Sequence, residues 1–211
     1  MNKNTTNKNT TNTVNVASSI KLRQMVQIAM LSAVSVILMM FEIPLFFAPS
    51  FYKIDFSEVP VLIGAFAMGP LAGVVIELVK IILKFIMSGS ITAGVGELAN
   101  FLVGCAFVIP SGIIYRRNKT KKGAVIGMIL GTISMAIVGG ALNAFVLLPT
   151  YAKAFGMPID ALVEMGSTVN HLITNMTTFV LFAVVPFNLF KGVFVSIIVA
   201  LIYKKIRPIL K

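Results

Sequence analysis

The 211-residue sequence has no tryptophan, one cysteine, one histidine and only seven acidic residues. Each shortage excludes something. A single cysteine, Cys105, rules out a disulfide framework, and with lone His171 it makes no Cys/His metal cluster. Cys105 lies in an apolar run and reads as a small buried hydrophobe. Without tryptophan, any aromatic belt at a membrane surface has to come from Tyr and Phe. There is no GxxxxGK[ST] phosphate loop, so ATP is not hydrolysed by that route. No nucleophile stands beside a base, and the chain is not read as an enzyme.

Charge is scarce as well. Only 12% of residues are charged, against about 25% in ordinary soluble domains. Hydrophobic residues make up 57% and the mean hydropathy is +0.95. This is the composition of a polytopic membrane protein, with length for one domain. A net charge of +11 suggests nucleic acid in a soluble protein, but no basic run here is interleaved with aromatics as such a surface needs. The cations instead flank apolar segments.

What is present divides into an Asn/Thr-rich tail, residues 1–20, and a membrane domain, residues 21–211. The tail has no apolar surface to bury and is expected to be disordered; it lacks the apolar core of a signal peptide. The domain reads as all-α, with six transmembrane helices: about Leu22–Phe41, Glu58–Gly69, Pro70–Met87, Thr92–Tyr115, Gly123–Leu148 and Met176–Tyr203, the last broken near Pro186. The second and third are shorter than the ~20 residues of a full crossing, and Gly69-Pro70 prevents one straight helix across them. The first loop, Ile43 to Ser57, is too apolar for plain solvent and is expected to fold back over the protein. Pro149 to Asn175 reads as a long loop containing Asp160, Glu164 and His171.

Six spans put both termini on one side. Lys3, Lys8, Lys21 and Arg23, the cations of the loop from Arg116 to Lys122, and those of the tail from Lys204 to Lys211 all fall there, with no acid among them. The positive-inside rule makes that side cytoplasmic.

The stretch from Tyr52 to Lys84 is the one the rest is organised around, because it carries Asp55, Glu58, Glu77, Lys80 and Lys84 into apolar sequence. An ionisable group near a helix centre costs about 2.5–3.5 kcal/mol on insertion scales. At about 1.5 Å per helical residue, Glu77, Lys80 and Lys84, Glu97 and Asn100, Asn143, and Asn188 and Lys191 all fall in the outer half of the membrane. A proton relay or channel strings polar groups through the full thickness; one closed end and one polar end describe a pocket open to the outside. The competing reading, that Glu77/Lys80 and Glu97/Lys84 simply neutralise each other, does not explain the amides of Asn143 and Asn188. Amides offer a donor and an acceptor together, which suits a flat heterocycle with imide-like edges. Phe46, Phe47, Phe51, Tyr52 and Phe56 either stack on such a ring or anchor the loop at the interface. Gly123-x-x-x-Gly127-x-x-x-Gly131 and Ala29-x-x-x-Ala33 permit close helix approach, internally or to a partner.

Several pieces together carry a family resemblance: Tyr52-Lys53-Ile54-Asp55-Phe56-Ser57-Glu58-Val59-Pro60, Gly69-Pro70, Glu77-x-x-Lys80, Gly96-Glu97-x-x-Asn100-Phe101, the segment NAFVLLPTY from Asn143 to Tyr151, and Pro186-Phe187-Asn188-x-x-Lys191-Gly192. From Lys21 to Lys211 the chain resembles the substrate-binding (S) components of energy-coupling-factor vitamin transporters, most closely the riboflavin-specific ones. The resemblance implies the six-helix S-component fold in the plasma membrane, riboflavin as transported ligand rather than cofactor, and a coupling module of one transmembrane (T) subunit and two ATPase subunits. The implied ligand set is Tyr52, Ile54, Asp55 and Phe56 of the first loop, Lys80, Glu97, Asn100, Asn143, Asn188 and Lys191. Ala29 and Ala33 match the family's motif for docking on the coupling subunit, which shifts that strip from internal packing to a partner face. The competing readings are an S component for another vitamin, a stand-alone secondary carrier, and a membrane enzyme or assembly subunit.

Overall fold

The computed structural model describes residues 5–45, 52–90, 93–156 and 158–210. The first helix, α1 (Thr5–Met39), starts inside the polar N-terminal stretch; its apolar part is Lys21–Met39. There Ser32, Ser35, Val36 and Met39 are buried on one side, while Met25, Met30, Val34 and Ile37 are exposed on the other. A short hairpin follows. Strand β1 (Ile43–Pro44) pairs antiparallel with β2 (Lys53–Ile54), Ile43 opposite Ile54, so the first loop doubles back on itself. Phe46, Phe47 and Phe51 lie outside the described residues.

Helices α2 (Glu58–Met68) and α3 (Pro70–Ser88) meet at Gly69. Its φ of +105° suits only glycine, and Pro70 opens the next helix, where its missing N–H is harmless. Helices α4 (Val95–Arg117) and α5 (Lys121–Leu142) then pack tightly. The Gly-x-x-x-Gly pattern turns inward here. A Cβ on Gly127 would stand 2.8 Å from the Ser111 carbonyl oxygen, and one on Gly131 2.5 Å from that of Phe107. The Ser111 hydroxyl, 2.7 Å from the Phe107 carbonyl and 3.0 Å from that of Gly127, ties the two helices.

Helix α5 does not end at Leu142. It passes through a π-turn, Asn143–Leu147, into α6 (Leu148–Phe155). After α7 (Ile159–Ser167), α8 (Met176–Phe179) likewise passes through a π-turn, Val180–Val184, into α9 (Val185–Leu210). Each π-turn ends two residues before a proline, Pro149 or Pro186. A proline lacks the N–H for the i−4 carbonyl and its ring clashes with that carbonyl; the wider turn absorbs both conflicts. The helix is therefore bulged, not broken, near Pro186. The expected loop from Pro149 to Asn175 is corrected too: it contains most of α6 and all of α7, with Leu162, Val163 and Ile173 buried.

Among the described residues, four helical stretches are long and apolar enough to cross a membrane: Lys21–Met39, Val95–Arg117, Lys121–Ala154 and Met176–Tyr203. Glu58–Met68 is a shorter apolar helix, and the 19-residue α3 carries Glu77, Lys80 and Lys84. Exposed Leu71, Val75, Leu78, Ile82 and Ile86 along α3 give that helix a lipid-suited outer face. This is a multi-pass membrane protein.

Among the described residues, two apolar cores hold it together. The larger joins α2, α3, α4, α5 and α9 through Leu62, Ile76, Phe107, Met135, Val195 and others. At its far end Phe66 lies 4.6 Å from the Tyr115 ring, and Tyr203 donates to the Tyr115 hydroxyl at 3.2 Å. The smaller core joins α6, α7, α8 and the second π-turn through Leu148, Leu162, Ile173, Phe179 and Val184.

Candidate functional site

Three buried polar residues, Asn143, Asn188 and Lys191, lie along the chain between these cores. Along α5 the chain leaves the larger core at Met135, passes Asn143, and enters the smaller core at Leu148; along α9 it leaves the smaller core at Val184, passes Asn188 and Lys191, and enters the larger at Val195. Asp55, Ser57, Glu58, Glu77 and Lys80 come in from the first loop, α2 and α3, all buried.

The turn before α2 is fastened from three sides. The Asp55 carboxylate accepts from the Ser57 amide through Oδ1 at 2.7 Å, and Lys191 Nζ donates to its Oδ2 at 3.2 Å. Ser35 of α1 donates to the Ser57 carbonyl oxygen at 2.7 Å, and Lys80 Nζ stands 3.3 Å from the Ser57 hydroxyl. Burial works against an ionised Asp55, yet Lys191, Lys80 and the Ser57 hydrogen bonds hold its carboxyl below the usual carboxylate range.

Lys80 is the centre of the second group. Its ammonium donates to Glu58 Oε1 at 2.8 Å and lies 2.7 Å from Glu77 Oε2. Among the described residues, Glu58 Oε2 and Glu77 Oε1 have no hydrogen-bond partner. Three carboxyls, with Asp55, face two ammoniums. Gly104 makes room for Glu77, since a Cβ there would strike its carboxylate.

Two amides complete the arrangement. Asn143 donates Nδ2 to the Gly139 carbonyl one turn back at 2.8 Å, and its Oδ1 accepts from the Tyr52 hydroxyl at 2.6 Å. Asn188 donates Nδ2 to the Val184 carbonyl at 2.9 Å; among the described residues its Oδ1 accepts from no protein group. Both back-bonds fix which end of the amide turns away from its helix. Tyr52 packs 5.0 Å from the Phe187 ring, and Phe56 5.5 Å from Phe194. Burial, with Tyr151 beside it, pushes the Tyr52 phenol well above its ordinary pKa, so it stays a neutral donor.

Of the residues singled out in the sequence, Tyr52, Asp55, Lys80, Asn143, Asn188 and Lys191 are thus buried or half-buried in this belt, with Ile54 buried and Phe56 half-buried beside them. Glu97 and Asn100 stand apart. Glu97 accepts from Ser90 at 2.7 Å, while Ser90 in turn accepts from the Gly94 amide; of the two candidate neutralising pairs, Glu97/Lys84 is not formed among the described residues. Asn100 is half-buried and has no hydrogen-bond partner among the described residues. Ala29 and Ala33 are exposed on α1. Sequence reasoning does not assign Ser35, Ser57 or Gly139, and it gives Glu58 and Tyr151 no role. Only tertiary contact reveals the first three; the polar run ending at Glu58 is the available signal for that residue.

Residues 23–203 match the family model described as "ECF transporter, substrate-specific component". The riboflavin transporter FmnP of Bacillus subtilis (strain 168) is 33% identical over 189 residues, covering 89% of this chain and 94% of the relative. The riboflavin transporter RibU of Staphylococcus aureus (strain TCH60) is 34% identical over 189 residues, covering 90% and 93%. A solved structure described as "Structure and mechanism of the S component of a bacterial ECF transporter" superposes with a TM-score of 0.70 at 33% identity, covering 90% of this chain and 99% of that one.

Proposed function

Because the chain belongs to the family of ECF transporter substrate-specific components, we propose that it captures riboflavin at the outer face of the membrane and passes it inward with a membrane-embedded, ATP-driven module. It is a transport protein, not an enzyme. The crossings in this reading are α1, α2, α3, α4, the continuous Lys121–Ala154 helix and the continuous Met176–Tyr203 helix, with both termini cytoplasmic. The distribution of cations supports that orientation.

The observation that carries the ligand assignment is the grouping of two back-bonded amides with Lys191 beneath Tyr52. Asn188 Oδ1 accepts from the N–H of the flavin imide. Lys191 spends one of its three donors on Asp55, which leaves two for flavin carbonyl or ribityl oxygens. Tyr52, Phe56, Phe187 and Phe194 offer ring surface for the isoalloxazine. Opening of the turn around Asp55 admits the vitamin, and re-formation of its contacts to Ser35, Lys80 and Lys191 closes over it. Glu97 and Asn100 are further candidate contacts for the vitamin. Energy comes from outside the chain, from two ATPase subunits acting through a T subunit that docks on α1 at Ala29 and Ala33.

The test is uptake. Proteoliposomes holding this chain with the T and ATPase subunits should accumulate labelled riboflavin when ATP is inside, and vesicles holding the chain alone should not. ATP-independent accumulation by the chain alone would favour a stand-alone carrier instead.

A further inference from the structure

One glycine touches both candidate ligand amides. Gly139 is buried in α5 and its φ is not positive, so its backbone does not require glycine. Glycine is also a poor helix former beside alanine. The reason for it has to be space. A Cβ on Gly139 would stand 2.8 Å from Asn188 Nδ2, 3.0 Å from its Cγ and 3.1 Å from its Oδ1. The whole amide plane therefore lies on the spot a methyl would fill. Asn188 has little freedom to yield, since it is buried and its Nδ2 is held by the Val184 carbonyl. The same Gly139 supplies the carbonyl that anchors Asn143 Nδ2 at 2.8 Å.

We propose that Gly139 is a positioning residue for the ligand site: its missing side chain seats the Asn188 amide of α9 against α5, beside the Asn143 amide that its carbonyl holds. Two amides from helices far apart in sequence then face one edge of a flat ligand. This rests on the riboflavin reading for the identity of that ligand. The next residue provides the contrast. A Cβ on Gly140 would meet only Val180 Cγ1 at 3.4 Å and Val185 Cγ2 at 3.5 Å, ordinary contact distances. Two adjacent buried glycines thus differ: a methyl fits at one and displaces a ligand-facing amide at the other.

The experiment is a double-mutant cycle on the purified full chain, read by quenching of riboflavin fluorescence and by thermal unfolding without ligand. The variants are Gly139→Ala, Asn188→Ala, the double variant, and Gly140→Ala as control. Gly139→Ala should weaken riboflavin binding about tenfold or more in the wild-type background and less than about twofold in the Asn188→Ala background, the non-additivity of residues in contact. Gly140→Ala should stay within about twofold of wild type. Without ligand, Gly139→Ala should lower the melting temperature in the wild-type background. In the Asn188→Ala background it should raise that temperature or leave it unchanged, because only its helix preference remains. Equal losses in both backgrounds, or wild-type affinity in Gly139→Ala, would overturn the proposal. If Gly139→Ala alone cannot be recovered folded, recovery of the double variant supports it and failure of both overturns it. A wild-type protein that does not quench riboflavin sinks the vitamin reading and this role with it. Binding by the wild type with additive losses sinks the Gly139 role alone.

Discussion

Lys191 of α9 reaches Asp55 of the first loop, Nζ to Oδ2 at 3.2 Å across 136 residues of sequence. The contact joins a residue of the proposed ligand site to the segment proposed to close over it. Asp55→Asn removes the charge and keeps the shape. The expected result is riboflavin release at least about five times faster, with association changed less, in stopped-flow fluorescence. Unchanged release would show that the loop is held by other contacts.

The same pair sets an expectation for pH. In the folded protein the Asp55 carboxyl sits below its ordinary value, 3.8. A depressed carboxyl contributes stability that is present above the unfolded-state value and is lost as pH falls through the folded-state value. The difference in melting temperature between wild type and Asp55→Asn should therefore hold steady from pH 8 to about pH 5 and shrink only in stronger acid. A difference that fades near neutrality would contradict this assignment.

Lys80 is the only ammonium within ion-pairing distance of Glu58 and Glu77 among the described residues. Lys80→Met leaves two buried carboxyls without it, and breaking a buried pair in this way costs about 3–5 kcal/mol. Thermal unfolding in detergent should show a large loss. Adding Glu58→Gln and Glu77→Gln to Lys80→Met should restore a good part of it, because the uncompensated charges are gone.

The Tyr52 hydroxyl holds Asn143 Oδ1 at 2.6 Å. Tyr52→Phe deletes one hydrogen bond, worth about 0.5–1.5 kcal/mol net, and keeps the ring contact with Phe187. Riboflavin affinity should fall by roughly threefold to tenfold, measured by fluorescence titration. Asn143→Ala removes the amide as well and should cost more.

Ala33 lies exposed on α1, away from the buried belt. Ala33→Trp should leave riboflavin affinity unchanged while abolishing association with the coupling module in co-purification. Loss of binding with association intact would place the docking face elsewhere.

Much of the architecture is local and is legible for that reason. Gly69-Pro70 divides α2 from α3 because a positive φ and a missing N–H act where they stand. The Gly123, Gly127 and Gly131 spacing announces a close approach, though not that α4 is the neighbour. The segment from Pro149 to Asn175 reads as a loop because Gly156 and Pro158 punctuate two short helices that need the smaller core to form. The π-turns leave no periodic signal, since each adds a single residue to a turn. The sequence leaves the partner of Glu97 open, and nearby Ser90 donates to it. The roles of Ser35, Ser57 and Gly139 depend on which helices touch, and no spacing encodes that. The contacts Tyr52–Asn143 and Asp55–Lys191 join residues that sequence reasoning singles out separately.

The most direct test of the central claim is the absorbance spectrum of the detergent-purified chain, followed by titration with riboflavin. The account predicts either a flavin spectrum that co-elutes with the protein, its fluorescence quenched, or saturable quenching of added riboflavin at one equivalent. A colourless protein that leaves the fluorescence of added riboflavin unchanged would contradict the account.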